Sequence, residues 1–283
     1  MLTNTFLHIQ GIGLKTESDL WQAGALDWDD FLKKQPKAFS PARTANIADV
    51  LEESRCNLAA CPKYFTGLLP ASQHWRIFPH FRDKTAYLDI ETTGLSDSCD
   101  ITTIALYDGQ TIKYYVQGEN LNDFPLDLLE YDVLVTYNGK SFDVPVIERF
   151  FNITLNLAHI DLRYILNSLG LKGGLKGCEK QLGLTRGELD GVNGYMAVLL
   201  WNLYQQSGER RALETLLAYN IMDTVNLELL MIEAYNLNLA KTPFQRVLAL
   251  PAPNQPPVPL EPDPEIINQL RCAATNNQWQ RKY

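Results

Sequence analysis

From Thr85 onward, apolar and polar residues alternate with a period near two. The runs AYLDIETTGL and DITTIALYDGQTIKYYVQ are rich in β-branched and aromatic residues, and the second is divided by Asp108-Gly109, a pair suited to a tight hairpin. Three strands paired antiparallel are predicted. Farther on, VLVTY (133–137) precedes the helical VPVIERFF, and AHIDL (158–162) precedes another helix. Strand followed by helix, twice, predicts parallel additions to the same sheet. The expected core is an α/β domain on a mixed five-stranded sheet flanked by helices.

On either side of this region the period changes. Residues 1–73 read as a small helical extension, in which Thr16 and Asp19 resemble a capping pair opening a short helix that stops at Gly24. Ser40-Pro41 then opens a longer helix through ARTANIADVLEESRCNLAA. The central domain is expected over 74–240, and it closes with long helices at 194–206 and 211–236, separated by Ser207-Gly208. Beyond Lys241, the prolines of TPFQRVLALPAPNQPPVPLEPDPE suit neither a helix nor a central strand, which predicts a Pro-rich extended tail over 241–283.

Composition narrows the class. With 46% hydrophobic and 20% charged residues, the chain has the balance of a globular protein with a buried core. No long unbroken apolar run appears, and MLTNTFLHIQGIG lacks a basic segment followed by an apolar stretch, so a cytoplasmic location is expected. The five cysteines are scattered, without the paired spacing of a zinc site, and read as ordinary thiols. A net charge of −8 argues against a broad nucleic-acid-binding surface, which needs clustered Lys and Arg. It leaves room for a carboxylate site that recruits cations and, through them, faces a phosphate.

The candidate chemistry lies in acids. Asp89 and Glu91 stand two apart on the first strand and so share one face, while Leu88 and Ile90 face the core. The turn Thr92-Thr93-Gly94 leaves both acids at the exposed end of the sheet, where open α/β sheets place ligands; a lone D-x-E would read as solvated acids. Asp143, in YNGKSFDVPVI, lies between a strand and a helix that holds Pro145 in its first turn, and a plain helix cap is its competing role. Asn138 and Gly139 supply a turn, and Lys140 reads as a phosphate contact or, as a lone lysine more often does, as a solvated side chain. Tyr219 and Asp223 are neighbours four apart on an apolar helix. A buried carboxylate there needs a partner, and a metal ion is a natural one; an exposed stripe with Asn220 and Asn226 is the alternative. Together Asp89, Glu91, Asp143 and Asp223 form the constellation of two-metal phosphodiester hydrolysis, for which two Mg2+ or Mn2+ ions are expected.

DIETTG, NGKSFD and Y-x-x-x-D resemble the three exonuclease motifs of the DnaQ-like, DEDD exonucleases, and Tyr219 ahead of Asp223 resembles the tyrosine subclass, DEDDy. HWRIFPHF (74–81), HIDLR (159–163), AVLLW (197–201) and YNIMDTVNL (219–227) are most similar to the bacterial YprB-type RNase H-like proteins, over roughly residues 74–236. The resemblance implies an RNase H-like fold and 3′-to-5′ exonuclease activity on a single-stranded DNA or RNA end. It implies Asp89, Glu91, Asp143 and Asp223 as metal ligands, and Tyr219 as the group positioning the attacking water. Thr92, Gly94, Asn138 and Lys140 are the expected substrate contacts, and Asp161, at a predicted strand end, reads as a support of the site from outside it or as a structural acid.

LKGGLKGC (171–178) carries more glycines than the family pattern. Lys172, Lys176, Lys180 and Arg186 read as a solvated helix face, with a lining of the nucleic-acid path as the alternative. The Gly11-Ile12-Gly13 segment resembles a helix-hairpin-helix turn whose amides hold a phosphate; packing of the short helix on the main domain competes with that reading. Two other functions share these residues: a catalytically silent nucleic-acid-binding protein, and an RNase-H-type endonuclease.

Overall fold

The computed structural model describes residues 1–36, 38–94, 96 and 99–280, with side chains as far as Cys272. The chain opens with α1 (Leu14–Gln22), α2 (Trp28–Lys34), α3 (Pro41–Asn57) and α4 (Pro62–Leu68), then the single turn α5 (Phe78–Phe81). Ser40 caps α3 by accepting from the Arg43 amide, and Pro41 occupies the first turn, as expected. The start of α1 differs from expectation. Gly13 is its N-cap and makes no side-chain cap bond, so Thr16 and Asp19 lie inside the helix. Gly24, at φ +87°, does end it.

The reason for the shift lies in Glu17, which sits in the first turn of α1 with its carboxylate buried. Its Oε1 accepts from the Thr5 hydroxyl at 2.6 Å and the Phe6 amide at 2.8 Å, and its Oε2 meets Arg76 Nη2 at 2.9 Å. Arg76 is 2% exposed and lies on the Trp75 ring, 4.6 Å from its centroid. In the glycine segment, Ile9 and Ile12 are buried and the Gln10 carbonyl accepts from Arg43 on α3. The turn is thus packed against the helices beside it.

The sheet comprises β1 (Thr85–Thr92), β2 (Ile101–Tyr107), β3 (Ile112–Val116), β4 (Val133–Thr136) and β5 (Ala158–Asp161), in the order β3-β2-β1-β4-β5. The first three strands pair antiparallel and β4 and β5 add in parallel to β1, giving the mixed five-stranded sheet expected from the alternation. Asp108 closes the β2–β3 hairpin, its Oδ1 accepting from the amides of Gln110 and Thr111, with Gly109 at φ +93°.

The remaining helices are α6 (Phe124–Asp127), α7 (Asp143–Phe151), α8 (Leu162–Ser168), α9 (Gly174–Gln181), α10 (Gly194–Ser207), α11 (Arg210–Leu239), α12 (Gln245–Leu248) and α13 (Pro264–Gln280). They flank the mixed sheet and complete the expected α/β architecture. One face of β1 puts Leu88 and Ile90 into an apolar cluster with Ile104, Leu106, Val146 and Ile147. The other cluster, built around α11, runs from Met1 to Ile267 and crosses both boundaries drawn at 73/74 and 240/241. Among the described residues no helix is long and apolar enough to cross a membrane.

The tail corrects the sequence reading. Residues 249–263 are extended, but α13 follows for 17 residues. Pro264 occupies the first helical turn, where a missing amide hydrogen is harmless, and no proline comes after it; Asp263 Oδ1 caps the helix through the amides of Glu265 and Ile266. The extended stretch is fastened to α11, with Gln255 donating to the Val225 carbonyl and Asn236 bonding both backbone groups of Leu250.

Because Arg76 is the buried counter-ion of Glu17, Arg76→Met should destabilise the fold by about 3–5 kcal/mol, measured by urea unfolding. A loss under about 1 kcal/mol would show that this pair does not tie the N-terminal helices to the sheet domain.

Candidate active site

The two-residue period of β1 turns Asp89 and Glu91 away from the Leu88 and Ile90 cluster and toward α11. On α11, Asn220 receives Asp89. Its Nδ2 donates to Asp89 Oδ2 at 2.7 Å and to the Asp89 carbonyl at 3.1 Å, and its Oδ1 accepts from the Thr103 hydroxyl at 3.0 Å. One turn along, α11 supplies Asp223. One carboxylate oxygen from each of Asp89, Glu91 and Asp223 lies within 4.8 Å of the others. Asp143 is the first residue of α7; its Oδ1 accepts from the Ile90 amide at 3.2 Å, and it lines the same cavity just outside the trio.

Asp143 and Asp223 are buried, Asp89 and Glu91 are half-buried, and all stand close to like charge. Burial, then the charges of Asp223, Asp143 and Glu91, push Asp89 well above its usual range, and burial followed by Asp223 does the same to Glu91. Burial raises Asp143 to about 7, against the lowering effect of its backbone hydrogen bonds. The donor set is all oxygen and concentrated, which fits a hard divalent cation such as Mg2+ or Mn2+.

Two cations reach the site from residues that read as solvated in the sequence, and that expectation is corrected. Arg186 is 7% exposed; its Nε and Nη2 bind Glu179 at 2.6 and 2.7 Å, and its Nη1 pairs with Asp223 Oδ1. Asn226 donates to Glu179 Oε1 at 2.9 Å, so neither Asn220 nor Asn226 forms an exposed stripe. Lys176 Nζ donates to the Tyr219 hydroxyl at 2.9 Å and to the Val192 carbonyl. Burial, with the charges of Asp223, Glu91 and Asp89, drives the Tyr219 phenol far above its usual range, leaving a neutral hydroxyl. Lys172 and Lys180 remain exposed.

Thr92 donates to the Gly94 carbonyl at 2.6 Å, and both residues line the cavity, as does Asn138. Asn138 sits at φ +67°, and the turn it begins is held by Asp161, whose oxygens accept from the amides of Asn138 and Lys140. Only glycine fits at 139, since a Cβ there would overlap the Thr136 hydroxyl. Lys140 does not line the cavity; its Nζ lies 5.8 Å from the centroid of the Tyr164 ring. The cavity measures about 880 Å³ and is completed by Gly173, Gly174, Gly194 and Tyr195.

A family model described as RNase_H superfamily matches residues 86–235, more than half of the chain. No curated protein matches it significantly. The family B DNA polymerase from the hyperthermophilic archaeon Pyrobaculum calidifontis is similar in structure over 59% of this chain and 27% of its own, at 17% identity and a TM-score of 0.41.

The raised carboxyls bind protons more tightly folded than unfolded. Their contribution to metal-free stability is therefore full below the ordinary carboxyl range and is lost as pH rises, for Asp143 through about 7. A cation replaces those protons, so the gain in melting temperature from Mn2+ over EDTA should grow from about pH 5 to about pH 8. A gain that stays flat or shrinks across that range would contradict a cation held by these acids.

Proposed function

We propose that this chain, a member of the RNase_H superfamily, is a divalent-metal-dependent nuclease that removes nucleotides from the 3′ end of a single strand. The observation that carries this reading is the convergence of Asp89, Glu91 and Asp223 within 4.8 Å, beside an open cavity that Asp143 and Tyr219 also line. The resemblance of DIETTG, NGKSFD and Y-x-x-x-D to exonuclease motifs supports the polarity and the choice of end. Mg2+ or Mn2+ held by the four carboxylates would activate water and stabilise the leaving oxygen.

The chain's own groups do the positioning. Tyr219 keeps its proton, so it acts as a donor that orients water or the scissile phosphate and not as a base. Lys176 fixes that hydroxyl from the side and brings positive charge to the phosphate. Thr92, Gly94 and Asn138 face the terminal nucleotide. Asn220 and the Glu179–Arg186 pair hold Asp89 and Asp223 in place before substrate arrives.

The test is degradation of 5′-labelled single-stranded DNA and RNA with Mn2+, Mg2+ or EDTA. Shortening from the 3′ end should require metal and vanish in Asp89→Ala and Asp223→Asn; cleavage of circular strands, or activity close to wild type in Asp223→Asn, would overturn the reading. In the same assay Tyr219→Phe should lower kcat more than it raises KM. A change confined to KM would remove Tyr219 from water positioning.

A further inference from the structure

A second trough opens from the carboxylate cavity. The two share Tyr137, Asn138, Gly173, Gly174 and Gly194, and the second adds Arg163, Asn167 and Lys172. It measures about 1030 Å³. Among the described residues no acid lines it, although the chain as a whole carries a net charge of −8. The acid closest in sequence, Asp161, is 1% exposed, and its oxygens are taken by the amides of Asn138, Lys140 and Arg163. Arg163 and Lys172 are both exposed. Arg163 keeps one guanidinium nitrogen on Asn138 Oδ1, and the Lys172 ammonium makes no hydrogen bond or ion pair with any described residue.

A trough lined by two exposed cations and no described acid, sharing a wall with an acid-lined cavity, sorts a polyanion by position. The cations suit phosphates that stay intact, and the acids suit the one that reacts. We propose that this trough is a phosphate-binding track for the unpaired strand next to the scissile bond, with Arg163 and Lys172 as its backbone contacts. The proposal rests on the nuclease reading for which bond is cut, but not for whether the trough binds. Glycine at 173, 174 and 194 leaves backbone as floor, so the strand lies close to the protein. The contacts are to phosphate, so the track serves DNA and RNA alike.

The test compares wild type with the Arg163→Gln/Lys172→Gln double variant on oligothymidylate and oligouridylate of about twelve residues. Binding is read by fluorescence anisotropy in Ca2+, and turnover in Mn2+, across a salt series. The double variant should bind both strands at least about tenfold more weakly, and its slope of log affinity against log salt should shallow by about 1.4, about 0.7 for each lost contact. KM should rise with the affinity loss, and the effect should shrink to less than about threefold on a dinucleotide, too short to reach the track. The charge-preserving Arg163→Lys/Lys172→Arg variant should restore the slope. Unchanged affinity and slope in the double variant, or an equal loss on the dinucleotide, would overturn the track. Wild-type binding with the expected salt slope but without hydrolysis would overturn the nuclease reading and keep the track. Weakening of one sugar type alone would overturn its indifference to sugar.

Discussion

Mutual repulsion among Asp89, Glu91 and Asp223 is the constraint that the structure around them answers. At 4.8 Å and an effective dielectric of about 20, each ionised pair opposes folding by roughly 3 kcal/mol. Protons relieve part of this, as the raised carboxyls indicate. Fixed donors relieve more: the Asn220 amide on Asp89, and the Arg186 guanidinium on Asp223. Arg186 is itself buried and therefore needs Glu179, which Asn226 steadies in turn. A cation-binding cluster thus has a second layer of charges and amides to hold it open, to which α9 contributes Glu179 and α11 contributes Asn220 and Asn226.

The sheet decides where this cluster can stand. β1 is central, with β2 antiparallel on one side and β4 parallel on the other. Asp89 and Glu91 therefore lie in its last half, beside the turn that follows β4 and carries Asn138. Crevices at the carboxyl ends of strands are where open α/β sheets bind ligands. Long α11 packs against β1 and β2 and brings Asn220 and Asp223 to the same end. The extended tail, bonded to Val225, Asn236 and Thr215, braces the outer side of that helix.

Strands with a clean period of two were legible in the sequence, and so were Asp89 and Glu91, because that period puts both on one face. Asp223 was legible because a charge in so apolar a helix needs a partner. Lys176, Glu179 and Arg186 were not. Their spacing in LKGGLKGCEKQLGLTRG looks like that of a surface helix, and Glu179 and Arg186 are buried and Lys176 half-buried because the chain around Arg186 and Val192 folds back onto the site. Asn220 could have been found by the reasoning that found Asp223, since a buried amide also needs partners. Thr16 and Asp19 misled because Glu17, between them, is used as the buried partner of Arg76. The tail misled because its prolines end at Pro264, which then serves as a helix start.

The claim that these acids form a cation site is tested most directly by anomalous diffraction at the manganese edge from crystals grown with Mn2+. The account predicts an anomalous peak bound by the carboxylates of Asp89, Glu91 and Asp223, lost in Asp223→Asn. Well-ordered carboxylates with no peak among them, or with Arg186 alone as the partner of Asp223 at saturating Mn2+, would contradict it.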